Sequence, residues 1–434
     1  MNRSSRTTAQ LVCALAVACV AAPTLTGCTS NKERMKQHAL WKQAAEDKWN
    51  GLRSGVSYDI ALQQFNAGKL DKALTTITQA VTVDTDNPRL YTLAGRIHLE
   101  QGELEQAFKV FTNAIAFAEK DPRLTPGERA DPYYFQGVVL QRWTRSEEAL
   151  ERYESARDVD PSNASRLLAV AETLVELGRL EDAVALLEEK LTFFDQNASL
   201  RVALAQIHNL RGDFDKAATF YGDALLLDPE NNLVREAMAR TLIQGGDRER
   251  GLPVLRMLLD ESDYAHRTDL MRTVADAELE EGRAAEARQC YIDITRLEPG
   301  SVNDWIKLGE LSWRVDDTGG TLIAANRVME LAPSRHEGYL MAGMVWQKRS
   351  RLVDALRLYD RAAELSGPDP RPLLMRGLAL QKAGKHAAAR RAYQQALERR
   401  PGDKRATRLL DAMSTTRTRT SAAPADASTA GYAR

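Results

Sequence analysis

Few residues of this 434-residue chain stand in patterns that could perform chemistry. Adjacent carboxylates occur at Glu188-Glu189 and at Glu280-Glu281. Neighbouring residues of a helix point to different sides, so these pairs suit solvent-exposed faces better than an acid/base pair. The six histidines are scattered along the chain, and Cys290 is expected to be an ordinary, mostly buried thiol. None of these residues indicates a catalytic centre.

Recognised catalytic and nucleotide-binding motifs are absent from the sequence. It contains no H-E-x-x-H zinc motif, no G-x-x-x-x-G-K-[ST] phosphate loop, no G-x-S-x-G nucleophile elbow and no dinucleotide fingerprint. The chain is therefore predicted not to be an enzyme, and no catalytic residue, metal ligand, cofactor or small-molecule substrate is expected.

One cysteine near the N-terminus does stand in a reactive context. A basic segment with Arg3 and Arg6 precedes an apolar run from Leu11 to Ala22 that is too short to span a bilayer as a permanent helix, which is typical of an export signal. The run is followed by Leu25-Thr26-Gly27-Cys28. This stretch resembles the lipobox of bacterial lipoproteins.

The resemblance implies that residues 1–27 are a signal peptide and that the Cys28 thiol carries lipid. Each buried methylene contributes about 0.8 kcal/mol, so the two or three acyl chains of this family would hold the protein firmly at a membrane. Thr29, in place of the aspartate that retains such lipoproteins in the inner membrane, favours the outer membrane, facing the periplasm. A plain secretory signal with a nearby cysteine is the alternative.

The composition predicts a helical body. The chain is 44% hydrophobic and 27% charged but only 6% aromatic, which is typical of long helical proteins. Lys and Arg number 59 against 60 Asp and Glu, and no stretch gathers basic and aromatic residues as a nucleic-acid surface would. Nucleic acid is therefore not an expected partner.

A period of 34 residues organises the body. Three consecutive units keep the same spacing of small residues and prolines: Gly137, Ala149, Pro161; Ala171, Ala183, Asp195; Ala205, Ala217, Pro229. The period and pattern resemble the tetratricopeptide repeat family, a helix-turn-helix unit. The same register predicts ten units, beginning near Ser54, Pro88, Ala130, Ala164, Ala198, Asn232, Thr268, Val302, His336 and Pro370. The resemblance implies an all-α fold, a right-handed α-solenoid of about ten antiparallel helical hairpins.

Residue types within the unit fit this interpretation. Small residues recur where paired helices must approach within roughly 8 to 10 Å. Glycines predicted to end first helices in the left-handed conformation are Gly68, Gly102, Gly178, Gly212, Gly246, Gly282 and Gly384. Aromatic residues of the second helices are expected to fill the space between neighbouring units: Phe111, Tyr153, Tyr221, Tyr291, Tyr359 and Tyr393.

The ends of the repeat array have their own predictions. Residues 28–53 are expected to hold the lipid and a spacer helix, whose Trp41 and Trp49 would cover the first hairpin. The array would occupy residues 54–403, a capping helix 404–413, and a disordered tail 414–434. Second helices are expected to start late or weakly near Gly251 and Gly319, which would soften residues 245–267 and 315–322. Ordinary divergence of single repeats, without softening, is the alternative.

Stacked hairpins of this family present an extended concave groove suited to peptides or partner helices. The register predicts these groove residues: Tyr134, Arg142, Gln206, Asn209, Arg240, Ile306, Trp313, Arg314, Leu340, Met344, Lys348 and Leu378. The late apolar residues among them are expected to form an exposed contact patch, with burial by adjacent helices as the alternative. The predicted function is a membrane-anchored protein-protein interaction adaptor of the cell envelope, which binds proteins or peptides there. The alternative is a self-associating structural scaffold.

Overall fold

The computed structural model describes residues 31–421, with side chains for residues 33–413. Residues 1–30, with the predicted signal peptide and Cys28, and residues 422–434 lie outside the described part. Every regular element between 31 and 421 is an α-helix, so the predicted all-α class is confirmed. Within residues 31–421, none of the helices combines the length and apolarity needed to span a bilayer.

The chain divides into two compact units, one ending at Thr173 and the other beginning at Leu174. The first unit contains α1 Asn31–Asn66, α2 Leu70–Val83, α3 Pro88–Glu100, α4 Leu104–Ala118, α5 Pro126–Arg142, α6 Ser146–Val159 and most of α7 Ala164–Glu176.

The second unit contains α8 Leu180–Leu191, α9 Ala198–Leu210, α10 Phe214–Leu227, α11 Asn232–Gln244, α12 Arg248–Leu259, α13 Thr268–Glu280, α14 Ala284–Leu297, α15 Val302–Arg314, α16 Thr318–Leu331, α17 His336–Lys348, α18 Leu352–Leu365, α19 Arg371–Lys382, α20 His386–Arg399 and α21 Lys404–Ser421. Consecutive helices from α1 to α6, and from α8 to α21, pack together as the hairpins of an α-solenoid.

First helices begin where the repeat register predicts. Seven start at the predicted residue: Pro88, Ala164, Ala198, Asn232, Thr268, Val302 and His336. Several of these helices begin after a side chain that accepts a hydrogen bond from a backbone N–H group of the first turn. Examples are Asn87 before α3 and Asn197 before α9. These side chains satisfy amides that would otherwise lack a partner at the helix end.

The third hairpin departs from the register at its first helix. This helix begins at Pro126, four residues before the predicted Ala130. Thr125 and Glu128 form a capping box, in which each side chain bonds the backbone N–H of the other residue. The inserted loop therefore supplies an extra helical turn.

The turn inside each hairpin uses one left-handed residue at a fixed repeat position. All seven predicted glycines have positive φ there, from 70° at Gly68 to 89° at Gly246. The three remaining hairpins place Thr144, Asp316 and Ser350 at the same position, with φ of 57°, 66° and 61°. A left-handed conformation costs a residue with a Cβ about 1 to 2 kcal/mol, so the turn geometry is imposed by the hairpin and not by glycine alone.

Aromatic rings of second helices pack over glycines of their own hairpin. A Cβ on Gly95 would lie 2.5 Å from Phe111, one on Gly137 2.7 Å from Tyr153, and one on Gly343 2.6 Å from Tyr359. The expectation that these rings mainly fill space between units was incomplete, because the missing Cβ lets the ring sit inside the hairpin. The hydroxyls of Tyr153, Tyr359 and Tyr393 then donate to Gln141, Gln347 and Gln381, respectively.

Two second helices that were expected to start late or weakly begin at the regular repeat position. α12 and α16 begin at Arg248 and Thr318, the same repeat position at which other second helices begin. Asp247 and Asp317 accept hydrogen bonds from the Arg250 and Gly320 backbone N–H groups, and these caps offset the helix-disfavouring glycines. The predicted softness of residues 245–267 and 315–322 stays a prediction.

The two end helices are longer than predicted. α1 is continuous from Asn31 to Asn66, so no break separates the predicted spacer from the first hairpin. Trp41 and Trp49 do not cover that hairpin, because they are 78% and 67% exposed. α21 passes Met413 and ends at Ser421, since no glycine or proline interrupts this stretch.

Candidate functional site

An open groove lies in the second unit along the first helices α15, α17 and α19, and α21 forms its far wall. Its volume is about 590 Å³. The lining residues are Ile306, Glu310, Trp313, Glu337, Leu340, Met341, Met344, Arg371, Leu374, Met375, Leu378, Arg405, Arg408 and Leu409. Nine of these fourteen side chains are apolar, so the groove suits a ligand with apolar side chains.

The structure brings together five residues that the repeat register predicted for the groove: Ile306, Trp313, Leu340, Met344 and Leu378. Trp313, Met344 and Leu378 are partly buried and form its accessible apolar surface. Ile306 and Leu340 are each only 8% exposed. Both belong to the core, so the expectation of an exposed patch was wrong for these two residues and the alternative of burial holds.

A cation covers one side of the tryptophan. The Lys348 ammonium lies 5.5 Å from the centre of the Trp313 ring, within the range of a cation–π interaction. The same ammonium is paired with the Asp316 carboxylate. Lys348 therefore does not line the groove itself. Its ammonium orients the Trp313 ring, which does.

Two charged side chains that line the groove, Glu337 and Arg371, are already paired with neighbouring residues. Arg335 binds both oxygens of the Glu337 carboxylate, at 2.7 and 3.0 Å, and Arg371 is bound to Asp369 at 2.7 Å. Burial alone would raise the pKa of Glu337, but the hydrogen bonds from Arg335 and the backbone hold the pKa below its ordinary value. Both charges are thus neutralised by partners already in place.

Arg405 and Arg408 differ from those paired groups. Both guanidinium groups are exposed on α21, and neither has an ion-pair partner within the described part of the chain. Arg405, Arg408 and Leu409 follow the i, i+3, i+4 spacing that defines one side of a helix, so Leu409 borders the two arginines on α21. This wall therefore offers two cations next to apolar surface.

The remaining predicted residues lie elsewhere and several serve the fold. In the first unit, the Arg166 guanidinium covers the Tyr134 ring at 4.8 Å, and Arg142 donates to the Leu99 carbonyl at 3.0 Å. Arg240 binds Glu236 at 2.9 Å and Asp269 at 2.8 Å, which ties α11 to α13. Arg142 and Arg240 are thus engaged in contacts between neighbouring hairpins.

Three further predicted residues, Gln206, Asn209 and Arg314, lie away from this groove. Gln206 and Arg314 are exposed and lie outside the groove lining. The Asn209 side-chain oxygen is buried and has no hydrogen-bond partner in the described region. The structure does not bring Gln206, Asn209 and Arg314 into the groove of α15, α17, α19 and α21.

Sequence reasoning missed the basic wall of the groove. Arg405 and Arg408 lie in the segment that was predicted only to cap the last hairpin. A signal was present, because the spacing of Arg405, Arg408 and Leu409 places all three on one face of a helix. The repeat pattern ends before this segment, so the register could not assign that face to the groove.

Reactive groups outside the groove have structural surroundings. Burial raises the pKa of the Cys290 thiol to about 11, and the Glu278 carboxylate adds to the effect, so the thiol stays protonated near neutral pH. His98, His208 and His336 each face a carboxylate, of Glu103, Asp213 and Asp369, respectively. Across the described residues, no group of three or more His, Cys, Asp or Glu is placed to hold a metal ion.

Comparison with known proteins finds the same kind of repeat. A family model described as tetratricopeptide repeat matches residues 58–122, 136–198, 171–232 and 374–410. The TPR repeat-containing protein YpiA of Bacillus subtilis is 22% identical over 204 residues, which cover 46% of each chain. Human Tetratricopeptide repeat protein 7B is 25% identical over 134 residues, which cover 31% of this chain and 16% of the relative. The chain spans less than half the length of these curated relatives.

A solved structure of a tetratricopeptide repeat protein from Parabacteroides merdae is also similar. It is 15% identical and aligns with a TM-score of 0.41, covering 60% of this chain and 98% of its own.

Proposed function

We propose that this chain, which carries tetratricopeptide repeats, is an adaptor of the bacterial cell envelope that is held at a membrane by lipid on Cys28. Its groove along α15, α17, α19 and α21 captures a segment of another protein. The observation that carries this proposal is the combination, in one groove, of accessible apolar side chains with two arginines that have no ion-pair partner among the described side chains. The adaptor has no catalytic role, and it brings proteins together by binding alone.

The groove chemistry defines the kind of segment that would bind. Trp313, Met344 and Leu378 offer partly buried apolar surface, so apolar side chains of the partner would gain by leaving water. Methionine adapts its shape to different ligands, which suits a site for a protein segment. Arg405 and Arg408 favour a segment with Asp or Glu beside its apolar residues, since a guanidinium binds carboxylates with paired hydrogen bonds.

The proposed anchor rests on residues that precede the described region. Leu25-Thr26-Gly27-Cys28 has the lipobox pattern, and an apolar run with basic residues before it has the form of an export signal. Cys28 lies only three residues before the first residue of α1. Lipid at Cys28 would therefore hold the N-terminal end of α1 close to the membrane surface, and Thr29 favours the outer membrane, facing the periplasm.

A double substitution tests the groove. Trp313→Ala with Met344→Ala removes two of the three side chains that form its accessible apolar surface, so we expect partner capture in a crosslinking pull-down from membranes to fall about tenfold or more. The melting temperature should change little, because both side chains are only partly buried. The matched control is Ile323→Ala with Val353→Ala, two side chains that are 65% and 80% exposed outside the groove.

Three outcomes would contradict the groove proposal. Equal loss of capture in the control would show that the effect is not specific to the groove. A collapse of the melting temperature would show that Trp313 and Met344 belong to the core. Crosslinks only between copies of this chain would favour the alternative function, a self-associating envelope scaffold.

Substitution of Cys28→Ser tests the anchor separately. Without the thiol no lipid can be attached, so the mature protein should move from the membrane fraction to the soluble fraction. Unchanged membrane association, with no incorporation of labelled fatty acid in either form, would overturn the anchor and leave the groove proposal intact.

A further inference from the structure

α1 carries a continuous apolar stripe that nothing in the described part of the chain covers. We define the stripe as Trp41, Ala45, Trp49, Leu52, Val56 and Ile60. Steps of three and four residues place these side chains on one face of the helix, over a length of roughly 29 Å. Leu52 and Val56 are each 61% exposed, and Ile60 is 45% exposed. An exposed apolar surface of this length marks a contact site.

Two residues of the stripe occupy repeat positions that are buried in other hairpins. Val56 and Ile60 precede Leu90 and Ala94 by one repeat, and Leu90 and Ala94 lie in a core cluster with Ile77 of α2. In the second unit, Leu270 and Val274 hold the same positions and pack with residues of α12. In each case the second helix of the preceding hairpin provides the cover. This end of the stripe thus has the form of a surface that receives an antiparallel helix, and the remaining stripe residues extend the same face toward the start of α1.

The other face of α1 already serves the first hairpin. Ala61 is fully buried in the core with Ala73 and Ile77. The Ser54 hydroxyl donates to the Asp84 carboxylate at 2.7 Å. Rotation of α1 to bury the stripe would expose this core, so the stripe requires an additional helix.

We propose that a second copy of this chain supplies that helix, with the two α1 helices packed antiparallel through their stripes. A two-fold axis near the middle of the stripe makes the surface complementary to itself, because the same patch then serves both copies. Trp49 of each copy would pack against Leu52 of the other, and Ala45 against Val56. At each end, Trp41 would lie against Ile60.

Charges along one edge of the stripe fit the same arrangement. Glu46 and Arg53 are exposed and seven residues apart, so they lie on the same edge of the helix. An antiparallel copy brings Glu46 of each chain close to Arg53 of the other and forms two equivalent ion pairs. The competing surface for an amphipathic helix is an anionic bilayer, which favours a strongly basic border. Here the cations Lys42, Lys48 and Arg53 are largely offset by Glu46 and Asp59, and Glu46 already lies 3.9 Å from Lys42.

A matched pair of leucine substitutions tests the dimer. Leu52→Glu places a charge in the stripe, whereas Leu40→Glu places it on the opposite side of α1 at a residue that is 64% exposed. We expect the full-length protein to sediment as a dimer at micromolar concentration. Leu52→Glu should weaken dimerisation at least about tenfold, since it would bury an unpaired carboxylate, and Leu40→Glu should leave it unchanged.

A charge exchange separates this contact from general stickiness. Glu46→Arg alone would place two arginines opposite each other and weaken the dimer, and adding Arg53→Glu in the same chain should restore it. The proposal goes beyond the adaptor function, and groove substitutions should not alter the mass of the particle.

Several outcomes would overturn the dimer. A wild-type monomer at all concentrations would do so, as would a dimer that survives Leu52→Glu, equal weakening by Leu40→Glu, or no rescue by the exchange. Association through the shared N-terminal segment would persist in both leucine variants. A monomer that binds phosphatidylglycerol vesicles through Leu52 would assign the stripe to a bilayer instead.

Discussion

The two end helices differ in whether the apolar face of the terminal hairpin is covered. α21 covers the last hairpin with its own residues, because Ala406 is fully buried and Met413 is 7% exposed in the core cluster of α19 and α20. α1 leaves the corresponding surface of the first hairpin open, with Val56 61% exposed. The first and the last hairpin of a repeat array each have one face without a neighbouring hairpin. Within the described residues, α21 covers this face of the last hairpin, and no helix covers it on the first hairpin.

This difference separates positions that carry stability from positions that are free to carry binding. Substitutions that disturb the covered end should cost folding free energy. Substitutions on the open face of α1 should leave folding nearly unchanged and alter association only. The predictions below test that division, beginning with the largest effect.

Ala406→Glu should break the covered end. The site is fully buried, so a glutamate would lose its hydration without gaining a partner, and the free energy of unfolding should fall by about 2 to 3 kcal/mol. Thermal melts followed by circular dichroism measure the loss. Faster amide hydrogen exchange should be confined to α19, α20 and α21. An unchanged melting temperature would show that α21 does not stabilise the last hairpin.

Gly343→Ala should cost somewhat less. The added methyl would approach the Tyr359 ring to 2.6 Å, and that ring is fully buried and tied to Gln347 by its hydroxyl. Because the ring has little room to move, we expect a loss of about 1 to 3 kcal/mol in urea unfolding. A wild-type midpoint would mean that the hairpin adjusts to the methyl at no cost.

Gly55→Ala on α1 is the same substitution in open surroundings and has the smallest expected effect. No atom lies within 4 Å of the added methyl, and alanine favours a helix interior over glycine by about 0.5 to 1 kcal/mol. The same unfolding assay should therefore show a small gain. A loss as large as that of Gly343→Ala would contradict the contrast between the covered and the open helix.

The repeat register predicted much of the fold from sequence alone. Helix starts such as Pro88, Asn232 and His336 followed from the period, and the left-handed turns followed from glycines such as Gly246. Spacing determines these features because each is local to one hairpin. The start of α5 at Pro126 was missed, because an inserted loop interrupts the period.

The candidate site could be predicted only in part. The register grouped Trp313, Met344 and Leu378 correctly on first helices, but it could not show that neighbouring helices bury Ile306 and Leu340. Burial depends on the side chains of adjacent hairpins, which the period of one hairpin does not specify. For the same reason, Trp41 and Trp49 of α1 were expected to cover the first hairpin, whereas both are exposed.

Site-specific photocrosslinking in cells is the most direct test of the adaptor function. A photoreactive residue in place of Met344 should form an adduct with a different protein, and the same probe in place of Ile323 should not. Charge reversal at Arg405 and Arg408 should remove the adduct if the captured segment is acidic. Equal adducts from both positions, or adducts only between copies of this chain, would contradict capture of a partner in the groove.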